Sequence, residues 1–271
     1  RIVFNLTPLC IVRAFQSAEL RPELLGLIVV GFLANVIPFF ASYVVYRSRP
    51  LEERIFQQAN VCGLNIGCFA LSFAPGVLPA AGVVATCLFD AGNSLMGTGG
   101  TWALIRSLVL GTNHDRLSDR LRVFARTLFS SVPFDCYIVL IAMGLAGARL
   151  PEQVITLISP IADANAFLSM FMIGLMIRFR VNGRKAVELA RLLGWRLACS
   201  GPPHRRALFV LPFDGIVRQV VIVLAWAPAA STGPLYTLWA WGDEGLAGMA
   251  NALTVLLGVV IMTSLVILMG V

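Results

Sequence analysis

The sequence predicts an all-α membrane protein of about nine bilayer-spanning helices, arranged as two inverted repeats that each contain one broken helix. Three observations predict it. Of 271 residues, 58% are hydrophobic and 13% charged, against about 25% charged in an ordinary soluble domain. With a mean hydropathy of +0.83, the chain lacks the polar residues to clothe a water-facing surface. Apolar runs of about 20 residues, the length that crosses about 30 Å of hydrocarbon, recur from end to end. Arginine and lysine gather on alternate connections between those runs, as they do where one side of a membrane retains positive charge.

The runs follow in order. Residues 2–18 form the first, 24–46 the second, and 55–77 a third rich in glycine and small polar residues. The fourth, 82–108, leads into a charged connection at 110–127, and runs at 128–150 and 154–177 follow. A weak segment at 190–213 is interrupted by Gly201-Pro202-Pro203-His204-Arg205-Arg206. The run 216–241 is broken by Pro228 and Pro234, and 246–269 completes the series. The first residue is Arg1 rather than Met, with an apolar run directly behind it and no basic region leading to a cleavage site. The chain therefore reads as beginning after a missing segment.

One side of this register collects Arg1, Arg47, Arg49, Arg54, Arg106, Arg116, Arg120, Arg122, Arg126, Arg178, Arg180, Arg184 and Lys185; the other holds Arg21, Arg149, Arg205 and Arg206. The bias places the first group, and with it the connection 110–127, in the cytoplasm and the C-terminus outside. It also accounts for the net charge of +7 as topology and attraction to anionic headgroups. No basic face with interleaved aromatics suggests nucleic acid. Residues 1–109 form a first repeat of four helices, 110–127 a central loop and 128–271 a second repeat of five.

The six cysteines lie in or near apolar stretches, without a C-x-x-C pair or a histidine at ligand spacing. They read as small apolar fillers. No nucleophile elbow, zinc-protease or P-loop pattern is present, so neither an enzyme nor a cofactor is expected. His114 and His204 fall in connections.

The two halves echo each other: an interrupted run, LNIGCFALSFAPG at 64–76 or AWAPAASTGPL at 225–235, precedes a long uninterrupted one. Paired interruptions point to a transporter of inverted repeats, because unwound backbone at membrane depth is tolerated only where it lines a cavity or is buried in protein. Asn65 and Gly67 supply an amide and freed backbone N–H groups suited to an anion; Gly63 with Gly67 also fits a small-residue packing face. Pro228, Ser231 and Thr232 read the same way in the second half, where Pro228 and Pro234 alternatively kink a structural helix. Asp90 is an acid within an apolar run, a placement that costs on the order of 3 kcal/mol at a helix centre. Asn93 lies one turn away, and Asn251 with Thr254 occupies the corresponding place in the second half. These three, Asp90, Asn93 and Asn251, are the candidates for ion coupling; interhelical hydrogen bonding is the competing reading of Asp90. Arg13 and Arg218 are candidates to pair a carboxylate or to snorkel from span ends; Asp135 and Asp163 read as interfacial.

The strings RIVFNLTPLC, LNIGCFALSF, CLFDAGNSLMGTGG and LAGMANALTVLLGVVIMTSL resemble the auxin efflux carrier family, over nearly the whole chain from what corresponds to that family's second helix. The resemblance implies a ten-helix fold lacking its first helix, with two crossing broken helices and a homodimeric assembly. It implies a multi-pass protein of the bacterial inner membrane that exports a small carboxylate such as malate, malonate or an auxin-like acid by alternating access; H+ or Na+ is the ion that Asp90, Asn93 and Asn251 would couple. Asn65 matches the family's crossover Asn, Ser72 stands where the family has Pro, and Pro228 matches the second crossover proline. A sodium-coupled symporter of the bile-acid type, with Asp90 and Asn93 as cation ligands, is one alternative. An inactive or truncated membrane scaffold is the other.

Overall fold

The computed structural model describes residues 8–13, 15, 21–111, 118, 122, 125, 129, 132–176, 183–200, 213 and 215–270. Among these residues every regular element is helical, and the strand-like contact is an isolated antiparallel bridge between Leu64 and Ala229.

Helix α1 (Gly26–Tyr46) follows a 3-10 turn, Pro22–Leu25, whose proline occupies the position where a missing N–H costs nothing. Leu27, Gly31, Asn35, Phe39, Ser42 and Tyr46 bury one face of α1 at helical spacing. The opposite face exposes Val29, Leu33, Ile37, Phe40 and Val44. A helix apolar on both its buried and its exposed face is unsuited to water. The first interrupted pair of elements begins with α2 (Leu51–Val61), after which the chain leaves helical geometry at Cys62 and re-enters it through a π turn, Ile66–Ala70, into α3 (Leu71–Val77). Helix α4 (Ala80–Leu95) continues as helix to Val109 through two π turns, Met96–Gly100 and Ile105–Val109.

Beyond it lie α5 (Val132–Leu145), α6 (Glu152–Met176) and α7 (Gly183–Ser200). The second interrupted pair is α8 (Gly215–Leu224) and α9 (Gly233–Trp239), and α10 (Glu244–Met269) ends the described chain, capped by the Asp243 carboxylate accepting from Leu246 N–H at 2.9 Å. Two helical stretches are long and apolar enough to cross a membrane, Pro22–Tyr46 and Glu244–Met269. The other expected runs are shorter, more polar, interrupted, or partly outside the described residues, as are the string 201–206 and nearly all of 110–127.

Two expectations about the interruptions need correction. The first break covers Cys62–Asn65, at the upstream edge of the expected interruption at 64–76, because Gly63 takes a left-handed φ of +78° that ends the helix outright. Ser72 lies within α3, so its failure to be proline has no bearing on whether the chain breaks. Gly63, being outside a helix, also forms no helical packing stripe with Gly67. In the second half Pro228 is in the break, whereas Pro234 sits in the first turn of α9 and starts a helix.

Glycines decide how close the helices come. A Cβ on Gly31 would lie 2.0 Å from the Phe89 carbonyl oxygen, and one on Gly92 would lie 1.8 Å from that of Ile28. The backbones of α1 and α4 therefore touch, which brings the polar residues that follow these glycines, Asn35 and Asn93, to hydrogen-bonding distance at 3.1 Å.

Candidate functional site

The two breaks cross and bond to each other. Asn65 N–H donates to the Pro228 carbonyl at 2.8 Å, and Ala230 N–H donates to the Gly63 carbonyl at 2.9 Å. A Cβ at Gly63 would stand 2.6 Å from that of Ala230, so this approach requires glycine by both space and φ. Pro228 in turn rests on Gly258 of α10, where a Cβ would meet the proline ring at 2.9 Å. Backbone groups stripped of their helical partners in an apolar interior cost about 1–3 kcal/mol each if left bare, and several of them are satisfied by side chains.

Two asparagines do this, one on each side. Asn93 of α4 grips both backbone polar groups of Leu64: Leu64 N–H donates to the Asn93 Oδ1 at 2.9 Å and the Asn93 Nδ2 donates to the Leu64 carbonyl at 2.8 Å. Asn251 of α10 donates to the carbonyls of Ala229 and Ala230, both at 3.0 Å, while Ala229 N–H donates to Thr254 Oγ1 at 3.0 Å. Leu64 and Ala229 are the two members of the bridge, so Asn93 and Asn251 occupy equivalent places about it.

Behind Asn93 the polar network runs deeper. Asn35 Oδ1 accepts from Gly63 N–H at 2.7 Å, and its Nδ2 donates to the Gly31 carbonyl at 2.7 Å and to Asn93 Oδ1. Asp90 accepts from Asn93 Nδ2 at 2.8 Å and from the Tyr137 hydroxyl of α5 at 2.5 Å. Each amide hydrogen and each carboxylate oxygen in this chain has a partner, the condition under which a buried polar network fixes one arrangement. Asp90 is thus joined to the crossing through a single residue.

Arg196, on α7, is the charged group nearest the crossing and was not among the residues expected from sequence. It is 9% exposed. Its Nη1 donates to the carbonyls of Asn60 (3.2 Å) and Val61 (3.0 Å), which end α2, and to Gly63 at 3.5 Å; its Nη2 donates to the Ala227 carbonyl at 3.1 Å. A cation is favoured where helices end in unpaired carbonyls. Among the described residues no carboxylate pairs with it.

The expected site residues separate into two groups. Asn65, Pro228, Asp90, Asn93 and Asn251 come together at the crossing or directly behind it. Gly67 is in the π turn that follows, Ser231 and Thr232 are half-buried between the bridge and α9, and Ser72 is the second residue of α3. Asn65 is 4% exposed and its Nδ2 has no hydrogen-bond partner. Arg13 and Arg218 are elsewhere: Arg13 pairs with Asp163 at 2.6 Å near an exposed edge, and Arg218 donates to the Phe213 carbonyl at 3.2 Å. Among the described residues no group of three or more metal-ligating side chains converges. No family model matches the sequence, and no curated protein matches it.

Proposed function

We propose that this chain is a secondary transporter, similar to the auxin efflux carriers, that moves a small organic anion across a membrane by alternating access. The observation that carries the reading is the hydrogen-bonded crossing of two interrupted helices beside a buried arginine without an acid among the described residues. Surplus donors at a crossing of unwound backbone suit an anion, and the unpartnered Asn65 Nδ2 adds one more. The apolar faces that α1 and α10 turn outward, with Ile37 61% and Ile267 74% exposed, support a lipid environment. Within this reading the nine crossings, the inverted repeats and the cytoplasmic connection at 110–127 follow from the sequence register, and export from the cytoplasm follows from the resemblance alone. Asp90 carries the coupling proton or faces the coupling cation, and Asn93 relays its state to Leu64.

Uptake of radiolabelled malonate, malate and an aromatic acetic acid into proteoliposomes tests it, with and without an imposed proton or sodium gradient. Saturable uptake of at least one acid that exceeds protein-free vesicles supports transport, and the gradient that drives it names the ion. Uptake no greater than in protein-free vesicles for all three acids under every gradient overturns the reading in favour of a membrane scaffold.

A further inference from the structure

We infer that Arg196 is the anion-reading residue of the crossing: a small carboxylate approaches through one of the clefts that flank α7 and pairs with the guanidinium N–H donors that the backbone carbonyls leave over. The inference rests on the transport reading for its substrate and on the geometry of Arg196 for its chemistry.

A guanidinium carries five N–H donors and no acceptor. The carbonyls of Asn60, Val61 and Ala227 lie within 3.2 Å, and that of Gly63 only at 3.5 Å. Carbonyl dipoles solvate the charge without neutralising it. A buried cation ordinarily has an anionic partner, and in a membrane interior an ionisable side chain marks a binding or conduction site by default. Among the described residues no such partner approaches it, and the inference gives that place to an external anion.

Two narrow clefts, each with room for about one or two waters in this conformation, reach Arg196. One cleft, between α1, α7 and the end of α8, is lined by Arg196 with Asn35, Cys199 and Ser200. A second, between α7 and α10, is lined by Arg196 with Trp226, Thr254 and, again, Ser200. Arg196 and Ser200 are successive turns of one helix face, and both clefts open at that face. Asn35 and Thr254 belong to the two amide systems that hold the bridge, so an anion at Arg196 would sit against groups tied to both halves of the crossing. Guanidinium and carboxylate are matched for bidentate pairing, which favours a carboxylate over a spherical anion.

Cys199 lies in the first cleft and reports the charge of the site without knowledge of the substrate. In a protein whose other five cysteines are replaced, reaction of Cys199 with an anionic sulfonatoethyl thiosulfonate is compared with that of a cationic trimethylammonium analogue, each relative to a free thiol. The expected result is an anion preference of about tenfold or more, diminished by malonate more than by chloride at equal ionic strength. Arg196→Lys keeps the preference for the anionic reagent but loses the malonate advantage, and Arg196→Gln removes both. Should Arg196→Gln fail to fold, the ratio in the arginine protein and in Arg196→Lys still decides. A ratio near one in the arginine protein overturns the inference. Carboxylate flux without charge preference at Cys199 retires Arg196 and keeps the transporter, whereas charge preference without flux retires the transporter and keeps the anion site.

Discussion

At the scale of single residues, Asp90 and Arg196 show how far the sequence was legible. Asp90 stands out from its own neighbours, since any acid within an apolar run asks for a partner, and Asn93 is visible one turn away. Tyr137 was not legible as the second partner, because a tyrosine in the run 128–150 looks like any other core aromatic until α5 is placed on α4. Arg196 failed for the same reason more severely: its acceptors are carbonyls at 60, 61 and 227, and no local pattern announces a carbonyl left bare by a break elsewhere. The competing readings of Asp90 separate on Asp90→Asn. The amide can still accept from Asn93, and the Tyr137 hydroxyl can turn from donor to acceptor, so the protein should fold with a loss on the order of 0.6–2 kcal/mol. If the carboxylate carries the coupling charge, initial flux loses its dependence on pH or sodium. Unchanged ion dependence in a folded variant assigns Asp90 to structure alone.

At the scale of helices, the interruptions were legible as glycine and proline in the right runs; the first break begins two residues before the expected 64–76 and ends early in it, while the second falls within 225–235. The position of the first break is set by Gly63 reaching positive φ against Ala230, a contact made with the other half of the chain. The near-contact of α1 and α4 has a direct test. Gly92→Ala would drive a methyl into the Ile28 carbonyl, separate Asn35 from Asn93 and loosen the grip on Leu64; Gly97→Ala, with nothing within 4 Å of the added atom, should be tolerated. Thermal melting in detergent should show Gly92→Ala lowered by several degrees or unfolded and Gly97→Ala close to wild type, and equal melting would remove close packing as the cause. A further contact joins α7 to the start of α10, where Lys185 Nζ meets Asp243 at 2.5 Å. Burial raises the Asp243 carboxyl, but the Lys185 hydrogen bond and the Leu246 N–H together hold it below its ordinary 3.8; the same pair raises Lys185 above 10.5. The Asp243 contribution is therefore present above pH 3.8 and lost as pH falls through the lowered value, and that of Lys185 is present below pH 10.5 and lost above it. Stability should be insensitive to this pair between about pH 5 and 9. Asp243→Ala should cost about 1 kcal/mol from the lost cap, read as the same melting-point decrease at pH 6 and pH 8; a decrease confined to one of them would implicate a different group.

At the scale of the whole molecule, long-range contacts gather residues distant in sequence into two sets. Lys185 with Asp243, Arg191 with Glu53, and Tyr43 with the Leu108 carbonyl join positions assigned to the cytoplasmic end. Arg13 with Asp163, and Gln219 with the Met269 carbonyl, join positions assigned to the other. Composition could suggest a membrane and charge could suggest sides, but the pairing of ends needs the folded chain. In a cysteine-free background, Ser48→Cys should react in intact cells only with a membrane-permeant maleimide, whereas Ala148→Cys should react with an impermeant one; the opposite pattern inverts the topology. The doubly gripped bridge at Leu64 and Ala229 has one further consequence. Unwound backbone is usually the first to exchange its amide protons, yet the N–H groups of Gly63, Leu64, Asn65, Ala229 and Ala230 each end on an acceptor from another segment. They should therefore exchange with deuterium as slowly as the middle of α4, because reaching them requires parting four segments at once. The place where the helices are broken would then be the stiffest point of the molecule, and any rocking of one half against the other would turn about it rather than bend within it.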